Sequence, residues 1–378
     1  MSTQMASKAD IGTQAIRNSS IELLRILAML MIVTSHCVMF SDVHVLTQPL
    51  GINKILVETF LYSGGKIGVV AFFAISAWFL TEKGGIRAGL RRAWLLEQEM
   101  LFWSLALFVV TALTNRAQLS LTLIVQSLFP TITALWWYPT AYAVFLLVFP
   151  FLMQGMRALD KGAHGALCIV MIVLWTVLDL VMPLSGVGLP GGDVFSFVYI
   201  YTLIAYYRWY MQSLSAKQAW GLLIGGYALI AIGAVAGSLV YQITGKVEKL
   251  QVYLSSVEFR LPVLMVGFAL FVLFAMRSFH SAIINAIAAS TFGVYLISEY
   301  PVMRQWIWHN PWVDFPAIMH SPFAFIQIIG VACLAFVGCS ILDQLRIQLF
   351  KVTVNRHRGR WFDALLQFVN TWIVRKES

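Results

Sequence analysis

Charged side chains are scarce in this sequence. Asp, Glu, Lys and Arg together make up 11% of the 378 residues, and acidic ones number only 17. A water-soluble fold of this length needs about twice that charge to cover its surface, so a soluble globule is excluded. Cysteine is nearly absent as well. Cys37, Cys168, Cys333 and Cys339 all fall within apolar runs, with no CxxC and no paired loop spacing, which leaves neither a disulfide framework nor a cysteine metal site. No His or carboxylate pair has metal-ligand spacing, so no metal is expected. Long polar, Pro-rich or low-complexity stretches are missing too, which argues against a separate soluble domain.

What fills the chain instead is hydrocarbon: 60% of residues are hydrophobic and the mean hydropathy is +0.79. A helix needs roughly 20 apolar residues to cross a bilayer. Ten runs meet that criterion, at 21–40, 57–80, 96–113, 134–152, 164–183, 194–211, 218–243, 261–277, 283–307 and 323–349. The expected fold is therefore an all-α polytopic membrane protein of about ten transmembrane helices. The net charge of +9 would suggest nucleic acid in a soluble domain, but here the basic residues sit in short loops and set topology. With both termini cytoplasmic, Lys and Arg favour the inner loops by about three to one. No nucleic-acid partner is expected, and the lipid bilayer is.

Three regions follow: a cytoplasmic N-terminal segment over 1–20, a ten-helix membrane domain over 21–349, and a basic cytoplasmic tail over 350–378. No small-residue cleavage site follows the first run, so it reads as a retained anchor. In the tail, "WFDALLQFVNTWIV" places Trp361, Phe362, Leu365, Leu366, Phe368 and Trp372 on one helical face after a basic stretch. That pattern predicts an amphipathic helix lying in the inner interface.

The informative residues are the ionisable ones inside the apolar runs, since a charge there costs about 2.5–3.5 kcal/mol on insertion scales and tends to face a cavity. Arg25 and His36 lie in the first run. Eleven helical steps return to within about 20° of the same face and separate the pair by roughly 16 Å. Each also has a plain alternative: Arg25 as an interfacial anchor paired with Glu22, His36 as a packed side chain. Lys66 sits in the second run, either in a cavity or at the end of a shorter span. Arg87, Arg91 and Arg92 form a basic cluster just past it, suited to a membrane surface or to the phosphates of a nucleotide or coenzyme. Glu299 in the ninth run has no easy route to water, and His36, Lys66 and Arg304 are its candidate partners. Trp136, Trp137 and Tyr138 read first as an interfacial aromatic belt.

Together these stretches resemble the integral-membrane acyltransferase-3 family, whose bacterial-type members O-acylate cell-surface carbohydrates. The family's basic residue followed ten residues later by His is matched by Arg25 and His36, and its "FFxxSG" segment by Phe72, Phe73 and Ser76, with Ala77 in place of Gly. Its basic run is matched by Arg91 and Arg92, without the following Pro, and its Trp-containing helix by Trp136, Trp137 and Pro150. Ser290, Gly293, Tyr295 and Leu296 match a late motif in which Ser298 replaces a frequent His. The resemblance extends over about 20–349.

The resemblance implies an acyltransferase, of the kind that transfers groups other than amino-acyl groups, in a bacterial inner or plasma membrane. It implies acetyl-CoA or another acyl-CoA as donor substrate with no permanently bound cofactor, and a hydroxyl of a cell-surface or lipid-linked carbohydrate as acceptor, in the manner of the single-domain, polysaccharide-modifying members. On this reading His36 is the general base or a transient acyl carrier, with Arg25 and Glu299 beside it in the catalytic set. Arg91 and Arg92 hold the coenzyme phosphates, and Lys66, Ser76, Trp136 and Tyr295 contact substrate. The competing class is a transporter or flippase for a lipid-linked sugar, in which the same charges line a translocation path.

Overall fold

The computed structural model describes residues 17–82, 85–178, 180, 193–354, 362–364 and 367. They fold as helices, without a strand among the described residues. In chain order the helices are α1 (Ser19–Phe40), α2 (Ile52–Leu80), α3 (Ile86–Thr114), the short α4 (Leu121–Leu128), α5 (Trp137–Ala158), α6 (Lys161–Leu178), α7 (Val194–Tyr210), α8 (Ala216–Thr244), α9 (Leu261–Ala275), α10 (Ala282–Ser298), α11 (Pro301–Trp308), α12 (Phe315–His320) and α13 (Ala324–Val352). A 3₁₀ segment, Glu248–Ser255, joins α8 to α9.

Seven of the ten expected spans coincide with helices long and apolar enough to cross a membrane, which makes this a multi-pass membrane protein. The sixth and eighth are the shorter α7 and α9, of 17 and 15 residues. The ninth departs from expectation, because α10 and α11 meet at a 92° bend instead of forming one rod. Pro301 is the cause. It brings no N–H to the helix ladder and forces the residue before it out of the helical region, so Tyr300 is extended, with φ −64° and ψ 132°. Glu299 is left at the elbow.

The first helix lies among α2, α9, α10 and α13. Its start is fixed by Asn18, whose side chain accepts from the Ser20 N–H, and by Ser19 and Ser20, whose hydroxyls bond to Asn285 and to the Phe274 carbonyl at 2.8 and 2.7 Å. Between apolar helices in lipid there is no hydrophobic drive, so close approach depends on small residues. The "GGKIG" stretch of α2 supplies them. A Cβ on Gly68 would stand 2.5 Å from the Ala28 carbonyl oxygen, and one on Gly64 3.3 Å from that of Met31. This seam aligns the His36 end of α1 with the Lys66 end of α2.

Three cations at or beyond the ends of the expected runs are buried: Lys54 is 2% exposed, Arg260 4% and Arg346 8%. Lys54 lies in the first turns of α2, which begins at Ile52, ahead of the expected 57. It pairs with Glu58 at 3.6 Å inside a π-helical turn, Val57–Tyr62. Arg346 is held by Asp343 and Glu99 at 2.8 and 2.7 Å, and the Trp103 indole donates to the same Asp343. The expected aromatic belt is also corrected. Trp136 and Tyr138 are buried against the bundle instead of standing at an interface, and Trp136 contacts the Tyr300 ring. Of the expected tail helix over 361–374, only 362–364 and 367 are among the described residues. Asp363 there pairs with Arg87 at 2.7 Å.

Candidate functional site

His36 sits one turn before the end of α1, in the wall of a cavity of about 520 Å³. The cavity is closed on its other sides by α2, the start of α5, the 3₁₀ segment and the α10–α11 elbow. Nδ1 of His36 lies 2.8 Å from Oε1 of Glu299, although off the line of a regular hydrogen bond. Both side chains are shielded, 14% and 8% exposed. The second oxygen of Glu299 faces Arg304 Nη1 at 3.6 Å, and Arg304 itself lies over the Phe40 ring at 4.5 Å. Phe40 and Tyr295 flank the imidazole, with ring centroids 5.4 and 6.2 Å away.

A carboxylate that accepts from Nδ1–H would orient the ring and leave Nε2 as the basic nitrogen. A helix ending at Ser298 directs unsatisfied carbonyls toward the elbow, and cations near a helix C-terminus are favoured. Arg304, supplied by the next helix, fits that field.

On the opposite wall Lys66 donates to Glu258 at 2.6 Å, and its ammonium lies 4.9 Å from the Trp137 ring centre. Lys249, Tyr253, Ser255 and Ser256 complete that side. The cavity therefore offers a histidine–carboxylate pair facing a polar wall with an aromatic platform. That combination can deprotonate a hydroxyl and hold a polyhydroxylated molecule.

Of the residues singled out in the sequence, the structure brings together His36, Glu299, Lys66 and Tyr295. Arg25, Arg91, Arg92, Ser76 and Trp136 do not line this cavity. Arg25 is engaged with Glu22 at 3.9 Å, and Glu22 with Arg17 at 3.3 Å. Ser76 lies ten residues beyond Lys66 on α2, roughly 15 Å toward the Arg25 end. Arg91 is exposed and Arg92 partly buried in the first turns of α3. Trp137 occupies the place expected of Trp136. Glu258 and the serines beside it were not anticipated. Their one sequence signal is an acid placed three residues before an apolar run, in a loop region whose other charges are mostly basic.

A family model described as "Acyltransferase domain" matches residues 18–342. No curated protein and no solved structure matches the chain.

Proposed function

Since the chain belongs to this membrane acyltransferase family, we propose that it is an O-acyltransferase that moves an acyl group, acetyl in the simplest case, from a cytosolic acyl-CoA to a hydroxyl of a cell-surface or lipid-linked carbohydrate. The observation that carries this reading is the 2.8 Å approach of Glu299 to His36 Nδ1 inside a cavity that Lys66, Ser255 and Ser256 also line. Nε2 of His36 takes the proton of the acceptor hydroxyl as its oxygen attacks the thioester carbonyl. The carbon–sulfur bond then breaks, and the departing thiolate receives that proton to leave as free thiol. Glu299 holds the imidazole in the required tautomer and stabilises its protonated form, and Arg304, 3.6 Å from its second oxygen, holds the carboxylate in place. Positioned general-base catalysis of this kind contributes about 10²–10⁴-fold.

The membrane fold gives this chemistry a purpose. The donor is soluble on one side of the bilayer and the acceptor is finished on the other, so ten spans with cytoplasmic termini would put Arg25, Arg91 and Arg92 at the donor side and the His36 cavity toward the acceptor. Guanidinium groups at α3 suit the coenzyme's phosphates. Arg25, between the two levels, suits the anionic part of the donor that enters the bundle. The polar wall at Lys66 and Trp137 suits a sugar, whose apolar face stacks on an indole while its hydroxyls reach the ammonium.

The test is transfer of labelled acetyl from acetyl-CoA to a panel of glycans by the purified chain in nanodiscs. Transfer should occur, and His36→Ala should lower it by about 10²–10⁴-fold with the protein still monodisperse. A folded His36→Ala variant turning over at the wild-type rate would reject the base, and sugar movement across vesicles without any transfer would favour a transporter. Arg91→Ala with Arg92→Ala should raise the apparent KM for acetyl-CoA. An unchanged KM assigns those residues to the membrane surface.

A further inference from the structure

A smaller cavity of about 200 Å³ adjoins the His36 cavity past the end of α1. Met39, Leu46 and Tyr62 line both, so the two are neighbouring compartments with three side chains in common. Met39 lies three residues beyond His36, roughly 4.5 Å along the helix and on the same face. The polar walls come from Ser41, His44 and Thr47 in the loop after α1, and from Glu248 at the start of the 3₁₀ segment. Nothing in the acyl-transfer chemistry above uses these four residues.

The polar groups here are mostly hydrogen-bond acceptors. Ser41 and Thr47 commit their hydroxyl protons to the carbonyls of Cys37 and His44, so each has only oxygen lone pairs left to offer. Glu248 adds a carboxylate. Lys66 and Arg304 of the His36 cavity are engaged by Glu258 and Glu299, whereas Glu248 forms no ion pair among the described residues. The backbone around it is built to hold this arrangement. Gln251, which accepts from Ser238, donates to the carbonyls of both Leu46 and Glu248 and so fixes the two sides of the pocket against each other. His44 and Val247, the residue before Glu248, are held at positive φ, 44° and 56°. A β-branched residue rarely adopts that backbone, and such strain persists where the surroundings impose it, commonly at ligand sites.

We infer that this pocket is a second sugar subsite, which binds the uncharged ring next to the one acylated at His36, so that the acceptor is recognised as a pair of linked rings. The inference rests on the acyl-transfer reading of the His36 cavity and adds to it the length and charge of the acceptor. A surface of oxygen acceptors matches a ring that presents many O–H donors. The unpaired Glu248 carboxylate opposes a uronate or phosphate at the same place, since like charges brought together across an interface are costly. With less than half the volume of the His36 cavity, the pocket suits one ring and not a longer stretch of chain.

The test uses the full chain in nanodiscs with matched acceptors: uncharged monosaccharides, the disaccharides made from them, and disaccharides whose second ring is a uronic acid. Transfer of labelled acetyl should run with kcat/KM about tenfold higher for the uncharged disaccharides than for the monosaccharides. Glu248→Gln should lower the uncharged-disaccharide value about tenfold while leaving the monosaccharide value unchanged, and should narrow the gap to the uronic-acid disaccharides. Thr47→Val, on another wall, should likewise lower only the disaccharide value. Equal kcat/KM for monosaccharide and disaccharide, or equal losses for both in the two variants, would overturn the inference. Isothermal titration of the same sugars without donor gives a readout independent of catalysis. Disaccharide binding tighter than monosaccharide binding, with the difference removed by Glu248→Gln and no transfer to either, upholds the subsite and rejects the transferase. Transfer without any such difference does the reverse.

Discussion

Oε1 of Glu299 stands 2.8 Å from Nδ1 of His36, at the last ladder bond of α10, where the Glu299 N–H still reaches the Tyr295 carbonyl. Glu299→Gln keeps the shape, but an amide that donates toward Nδ1 reverses the tautomer preference. It should reduce kcat by about 10²-fold with little change in the apparent KM for acetyl-CoA, as read from initial rates against both substrates. An unaltered kcat would remove Glu299 from the catalytic set.

Lys66 and Glu258 act as a unit on the opposite wall. Their charge-assisted bond fixes the ammonium over Trp137, so Lys66→Met and Glu258→Gln should each raise the acceptor KM about tenfold while leaving coenzyme binding alone. A double substitution should cost little more than either single one, since both disturb the same contact. Additive losses in the cycle would mean that the two residues work separately.

The α1–α2 seam allows no added volume at Gly68, where a Cβ would meet the backbone oxygen of Ala28 at 2.5 Å. Gly68→Leu should cost about 1–3 kcal/mol or more, visible as a lowered melting temperature in detergent and loss of the monodisperse peak. Gly330, on α13, has nothing within 4 Å of such a Cβ. Gly330→Ala should therefore be neutral or stabilising by about 0.5–1 kcal/mol.

The network at the other end of the bundle is a stability element. Asp343 is fully buried and receives bonds from Arg346 and Trp103. Asp343→Ala leaves a buried guanidinium short of its partner, at a cost of about 3–5 kcal/mol. Thermal unfolding should show a large drop, and the fraction still folded should keep a near-normal KM for both substrates.

Hydropathy and charge made the helical, multi-pass character legible, because the membrane imposes a length and a composition on each helix that crosses it. The same reasoning found His36, Lys66 and Glu299, since an ionisable group in an apolar run needs a reason to be there. It placed Lys54 outside the second run and Arg346 at the very end of the tenth, because hydropathy windows carry no information on pairing. A cation buried by pairing with Glu58, or with Asp343 and Glu99, looks the same in sequence as one in water. Glu258 was missed for the complementary reason: it sits in a short irregular segment, and only the fold brings that segment against α2. The elbow at Tyr300 was signalled by Pro301, but the apolar residues on both sides of it masked the break.

Lys54 has one further consequence. Its buried ammonium grips the carbonyls of Leu46 and Gln48, and Gln251 grips the carbonyl of Leu46 from the other side. Leu46 lines the His36 cavity. The loop over that cavity is thus clamped by two unrelated elements and cannot swing aside without stranding a buried charge. The rim of the cavity beside His36 is pinned from two sides, by Lys54 and by Gln251.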